Sequence, residues 1–226
     1  VADVGRPAAG SAQFKQLFDQ VRKVPISQGG GLFVDKTDLY QVEGQYNLSH
    51  LTSEFADILV GGNYKRYVLN SEGTLFADSA GNINIDEYGG YLQASKGFAN
   101  DRVKITVSGR YDKNSNFEGR FTPRATALFK IAENNNIRVS YQTAYRFPST
   151  QQQFINLSVG GNTRLIGGDP SFRNFFNFSG KPVYYLNDLR GGQTVAYNNE
   201  NYKPESVSTY EIGYKGLMME DKLLID

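Results

Sequence analysis

From Asp38 onward, apolar and polar side chains alternate with a period of two, interrupted at intervals by turn residues. Tyr40, Val42, Gly44, Tyr46 and Leu48 oppose Leu39, Gln41, Glu43, Gln45 and Asn47. Ala56, Ile58, Val60, Gly62 and Tyr64 form a second such run, and Tyr88, Gly90, Leu92 and Ala94 one side of a third ending at Phe98. Val103, Ile105, Val107, Gly109 and Tyr111 alternate with Lys104, Thr106, Ser108, Arg110 and Asp112. Ala125, Ala127, Phe129 and Ile131 oppose Arg124, Thr126 and Lys130, and Ile137, Val139, Tyr141, Thr143 and Tyr145 oppose Arg138, Ser140, Gln142 and Arg146. A last run sets Tyr210, Ile212 and Tyr214 against Thr209, Glu211 and Lys215. This predicts about seven strands of roughly ten residues, the length that crosses a bilayer at a tilt. Such alternation fits a half-exposed soluble sheet equally well.

The period differs only near the start. Phe14, Leu17, Phe18 and Val21 recur at helical spacing between Ser11 and Val24, and Pro25 ends the pattern. An amphipathic helix packed within a loop is expected there. Its polar face is not basic enough to suggest a membrane-surface helix. Gly29-Gly30-Gly31 then marks a joint.

The connections separate the two sheet readings. Residues 66–87 form a long link, 99–101 a tight turn, 113–120 a medium loop and 132–136 a tight turn. A very long link then runs from 147 to 204, and 218–222 form a short turn. Long and short connections at opposite ends are the habit of outer-membrane barrels. A soluble sandwich has no reason to gather its long loops at one end, and long structureless links are uncommon in compact domains.

Composition is compatible with this reading. Charged residues make up 21% of the chain, and no apolar run is long enough for a transmembrane helix. The formal net charge of +1 gives no reason to expect nucleic acid. Cysteine is absent and His50 is the only histidine, so thiolate chemistry is excluded and little remains for a metal centre or a histidine-based triad. No catalytic residue, metal site or cofactor is expected. Asp78-Ser79-Ala80-Gly81-Asn82 hints at calcium but lacks the ligand ladder. No basic, apolar leader opens the chain, and Leu223-Leu224-Ile225-Asp226 reads as the start of a strand, which suggests an internal piece of an exported protein.

Three local motifs add a resemblance. They are Arg110-Tyr111-Asp112 followed by Phe121-Thr122-Pro123-Arg124; Tyr145-Arg146-Phe147-Pro148-Ser149; and Lys203-Pro204-Glu205 with Tyr210-Glu211-Ile212-Gly213. In this order, at strand ends, they resemble the barrel of TonB-dependent outer-membrane receptors. Where that family usually continues with an acidic residue and Leu, this chain has Gln151-Gln152-Gln153-Phe154. The resemblance implies an all-β fold, a segment of an antiparallel transmembrane β-barrel with long extracellular loops and one short loop helix. Residues 1–37 would be an extracellular loop segment carrying the helix. Residues 38–226 would be partial barrel, with 147–204 its long extracellular loop.

The implied function is binding and import of a scarce substrate across the outer membrane, without catalysis. A structural, adhesin or passive-porin role is the alternative. Implied partners are outer-membrane lipid, the remainder of the barrel and its plug domain, TonB, and a small-molecule or oligomeric ligand. Lys104, Arg110, Arg124, Arg138, Arg146 and Glu211, with Lys130 and Lys215, are expected to face the lumen, as plug-facing or anion-binding groups or simply as a solvated wall. In the long loop, Phe172, Phe175, Phe176, Tyr184, Tyr185, Tyr197 and Tyr202 are the candidate ligand contacts, since rings among amides suit sugars or organic chelates. Packing of the loop's own core is the competing use for these rings.

Overall fold

The computed structural model describes residues 5–160, 163–175, 177, 181–194, 196, 202–218 and 223–225, excluding the side chains of Ser27, Arg173, Asn174, Phe175 and Met218. Eight strands pair into one antiparallel sheet in the order β1 (Asp38–Asn47), β2 (Asp57–Leu69), β3 (Ile83–Phe98), β4 (Val103–Asn114), β5 (Phe117–Ala132), β6 (Asn135–Arg146), β9 (Glu205–Met218) and β10 (Leu223–Ile225). β7 (Asn156–Gly160) and β8 (Thr163–Ile166) form a separate hairpin. The helices are α1 (Ala12–Val21), α2 (Ser49–Thr52), α3 (Thr150–Phe154), α4 (Pro170–Phe175) and α5 (Leu186–Arg190). Among the described residues, no helix is long and apolar enough to cross a membrane.

The chain divides into two compact units. One comprises 39–67, 85–147 and 204–226 and holds the large sheet; the other comprises 1–38, 68–84 and 148–203.

In the sheet unit, register fixes which side chains share a face. Ile105 lies opposite Ala127, Ala127 opposite Val139, and Val139 opposite Ile212. The next rungs carry Val107–Ala125–Tyr141–Tyr210 and Val103–Phe129–Ile137–Tyr214. This face is apolar, and among the described residues nothing covers it: Ile212 is 80% exposed and Tyr210 79%. On β1 and β2 it continues through Tyr40, Val42, Ile58 and Val60, of which Val42 is 64% exposed. Charge returns only near its borders. Arg66 and Tyr64 bind Asp86 at one end, and the Lys96 ammonium stands over Phe55 at the other.

The opposite face is polar. Lys104, Leu128, Arg138 and Gly213 share a rung, as do Thr106, Thr126, Ser140 and Glu211. A sheet with one uncovered apolar face and one wet face is what a barrel wall requires.

The strands run longer than the apolar pattern predicted, with sixteen residues in β3 and in β5. The expected medium loop over 113–120 is instead a two-residue turn at Ser115-Asn116. The Asn114 side chain accepts from the Asn116 amide and Lys113 Nζ donates to the Phe117 carbonyl, so pairing resumes at once. The link between β2 and β3 shrinks to 70–82 for the same reason.

α1 forms as expected, with Ser11 Oγ accepting from the Phe14 amide as its N-cap. Its apolar stripe is not packed away as the sequence suggested: no residue of the helix is buried, and Phe18 is 56% exposed. The helix is anchored beyond its end instead, through backbone bonds from Gly31 to Val21 and from Leu32 to Val24.

This face assignment predicts an asymmetry within β9. Ile212→Arg should cost about 2–4 kcal/mol, because it puts a cation at the middle of the apolar band. Thr209→Arg, on the wet face beside Glu211, should stay within about 1 kcal/mol of the parent. Folding titrations into lipid vesicles measure both, and equal costs would remove the distinction between faces.

Candidate functional site: a polar wall and a loop unit

The polar wall is built as much by missing side chains as by present ones. A Cβ on Gly61 would sit 2.5 Å from the Tyr91 ring, so Tyr91 can lie flat over β2 only because Gly61 has none. Gly89 likewise makes room for Arg110 and Asp112. Flattened in this way, Tyr91 donates to Gln45 Oε1 at 2.8 Å, and the Arg110 guanidinium stands 5.8 Å above its ring. Arg110 also donates to both oxygens of Asp112 and to Asn63. Asp112 is buried, and its charge is matched by a two-bond contact with the guanidinium.

The expected lumen-facing groups do share one face. Lys104, Arg124, Arg138 and Glu211 are joined through the β4–β5–β6–β9 registers, and Arg110 belongs to the same side. Arg138 Nη2 approaches Glu211 at 3.8 Å, and Arg146 Nη2 donates to Glu205 at 2.9 Å. The sequence reading missed Tyr91, Gln45 and Asn63, as well as Asn114, which donates to Glu87. The pairs Gly61-Gly62 and Gly89-Gly90 inside strands were the available signal, since glycine there marks close approach. It also missed Leu128, an apolar residue on the wet face.

Above Gln142 the β5–β6 ladder stops. Pro123 has no amide to donate, and the Thr143 hydroxyl takes up its carbonyl at 3.2 Å.

In the loop unit, segment 70–82 folds around one buried carboxylate. Asp78 accepts from the Ser71 amide, from Ser71 Oγ at 2.7 Å and from the Gly73 amide at 2.7 Å. Ser71 Oγ in turn accepts from the amides of Leu75 and Phe76. Thr74 Oγ1 accepts from the Val34 amide and lies 2.8 Å from the Val34 carbonyl, tying in the N-terminal segment. Asp78 is thus occupied by the loop itself, and among the described residues no group of three or more metal-ligating side chains gathers.

Segment 148–203 is anchored by a full capping box, with Ser149 and Gln152 bonding each other's amides at the start of α3. Buried Gln153 holds the Pro148 carbonyl at 2.7 Å. Of the candidate ligand contacts, Phe172 is buried and serves this unit's core. The Tyr202 ring lies against Gly168, Tyr184 is half-buried and Tyr185 is exposed. Phe176, Tyr197 and the Phe175 side chain lie outside the described residues.

An open antiparallel sheet with one bare apolar face and one polar face, and with structured segments between its strands, is the wall of a membrane-spanning β-barrel. Residues 9–225 match the TonB dependent receptor-like, beta-barrel family, and the chain belongs to that family. This is a family of outer-membrane transport receptors, whose barrels work with a plug and with TonB, and whose members are not enzymes. A comparison with curated proteins finds no match.

Asp78→Ala should loosen segment 70–82 while leaving the sheet intact. Losing an acceptor of several bonds costs about 1.5–3 kcal/mol locally. Hydrogen exchange of the Gly73, Leu75 and Phe76 amides should therefore speed up about tenfold or more. Unchanged protection would mean that the loop does not depend on this carboxylate.

Proposed function

We propose that this chain is the part of a TonB-dependent receptor that captures a scarce ligand at the cell surface and lines its path across the outer membrane. The observation that carries this reading is the loop unit. Three segments far apart in sequence, 1–38, 68–84 and 148–203, fold into a compact body with its own buried side chains. Loops that merely joined strands would have no need of a buried carboxylate hub or a capped helix. A pre-organised surface loses less entropy when it binds.

On this reading the 147–204 segment is extracellular and supplies selectivity. Tyr184, Tyr185 and Tyr202 offer rigid amphipathic rings to an organic ligand such as a sugar or a chelate. Phe172, buried in the same unit, serves its core instead. Arg110, Arg124, Arg146 and their acidic neighbours line the passage.

With no native cysteine, single introduced thiols report side directly. Asn187→Cys in α5 should react with a membrane-impermeant reagent on intact cells, and Glu133→Cys in the β5–β6 turn only after lysis. Deleting 172–185 should abolish uptake and leave the barrel in the membrane. Reversed labelling, or normal uptake after the deletion, would remove the loop from the ligand's path.

A further inference from the structure

On the polar face, strands β1 to β4 gather side chains that have settled most of their bonds with one another. Arg110 is engaged by Asp112 through two bonds and by Asn63 through a third. Tyr91 lies over Gly61 and gives its hydroxyl proton to Gln45 Oε1. What remains is specific in kind. Among the described residues, Gln45 Nε2 and Asn63 Nδ2 donate to nothing, although the oxygens of both amides are taken. The Glu43 carboxylate receives one long contact, from Gln41 Nε2 at 3.4 Å. Two amide donors and one carboxylate are therefore left open.

These groups line one recess of about 430 Å³, whose side chains are Glu43, Gln45, Asn63, Tyr91 and Arg110 and whose remainder is glycine. Small-molecule sites usually enclose roughly 300–1,000 Å³. The half-buried Tyr91 ring offers a negative π face, which attracts the weakly positive C–H bonds on one side of a sugar ring. Hydroxyls can both accept from the two amides and donate to the carboxylate. Charged ligands fit less well. Asp112 already neutralises Arg110, so an anion would meet Glu43 without a free counter-charge. A cation would find the place over the Tyr91 ring held by the Arg110 guanidinium, 5.8 Å from its centroid.

We propose that this recess is a binding subsite for one neutral hexose unit of a saccharide, with its C–H face on Tyr91 and its hydroxyls bonded by Gln45, Asn63 and Glu43. The proposal rests on the receptor reading above, because a transport path is what brings a solute along this face. It makes the strands of the wall, and not the loop unit alone, a place where ligand is recognised. Gly61 acts as a positioning residue. A Cβ there would lift the ring by contact at 2.5 Å and close the space the sugar needs.

Saturation-transfer NMR on the purified full-length receptor tests this, with maltose, cellobiose, lactose and mannobiose as neutral probes and glucuronate and glucosamine as charged ones. At least one neutral disaccharide should bind, taking saturation chiefly on the C–H protons of one ring face. Tyr91→Ala should weaken that binding about tenfold, and Tyr91→Phe, which keeps the ring, should retain it. Gly61→Ala removes no group that touches the sugar, yet should weaken binding while the heat-modifiable mobility of the barrel is unchanged. If Gly61→Ala does not fold, the contrast between Tyr91→Ala and Tyr91→Phe decides alone. Binding by none of the neutral probes, tighter binding of glucuronate or glucosamine, or undiminished affinity in Tyr91→Ala would each overturn the subsite. Surface labelling at Asn187→Cys and uptake after deletion of 172–185 are measured separately. The receptor reading therefore stands or falls on those results, whatever happens at Tyr91.

Discussion

Inside a bilayer no water is available to satisfy a backbone amide or carbonyl, and the rest of this structure follows from that constraint. Continuous antiparallel pairing from β1 to β10 answers it within the sheet. Strict pairing imposes strict alternation, and alternation sends one set of side chains to lipid and the other to water. The two outer edges, β1 and β10, are subject to the same constraint, so a wall in lipid must be completed by further strands. The Pro123 position shows how closely it is met. Where an amide is missing, a threonine hydroxyl takes the neighbouring carbonyl.

The loop unit follows a different rule. In water its polar groups could be solvated, yet they are bonded internally around Asp78, Ser71 and Thr74. Internal bonding trades solvation for a fixed shape. That trade suits the recognition role proposed for this unit, and it goes with long connections that carry helices and a hairpin.

Most of the wall was legible in the sequence because period-two patterning translates directly into faces. Ile105, Val139 and Ile212 share one face, as their pattern implied, and Lys104 and Arg138 share the other. Strand ends were less legible. Polar residues such as Asn114 and Glu87 bond across the ladder near its end, where the apolar signal has already stopped. Lateral contacts were the least legible, because they depend on register between strands. Nothing along β3 alone reveals that Tyr91 meets Gln45, forty-six residues away. In the loop, aromatic content marked candidate contacts but could not separate Phe172, which is buried, from Tyr185, which is exposed.

The glycine pairs of β2 and β3 bear on mechanics as well as on contact. Gly61-Gly62 and Gly89-Gly90 lie side by side, close enough that a Cβ on Gly62 would be 3.1 Å from the Gly89 carbonyl oxygen. When a sheet curls, side chains on its inner surface crowd first; Gly61 and Gly89 add none of their own, but the space above them is already taken by Tyr91, Arg110 and Asp112. Curling about this pair of strands is therefore limited by how far the Tyr91 ring and the Arg110–Asp112 pair can shift. A wall that must close on itself meets that bonded cluster where its own backbones come nearest.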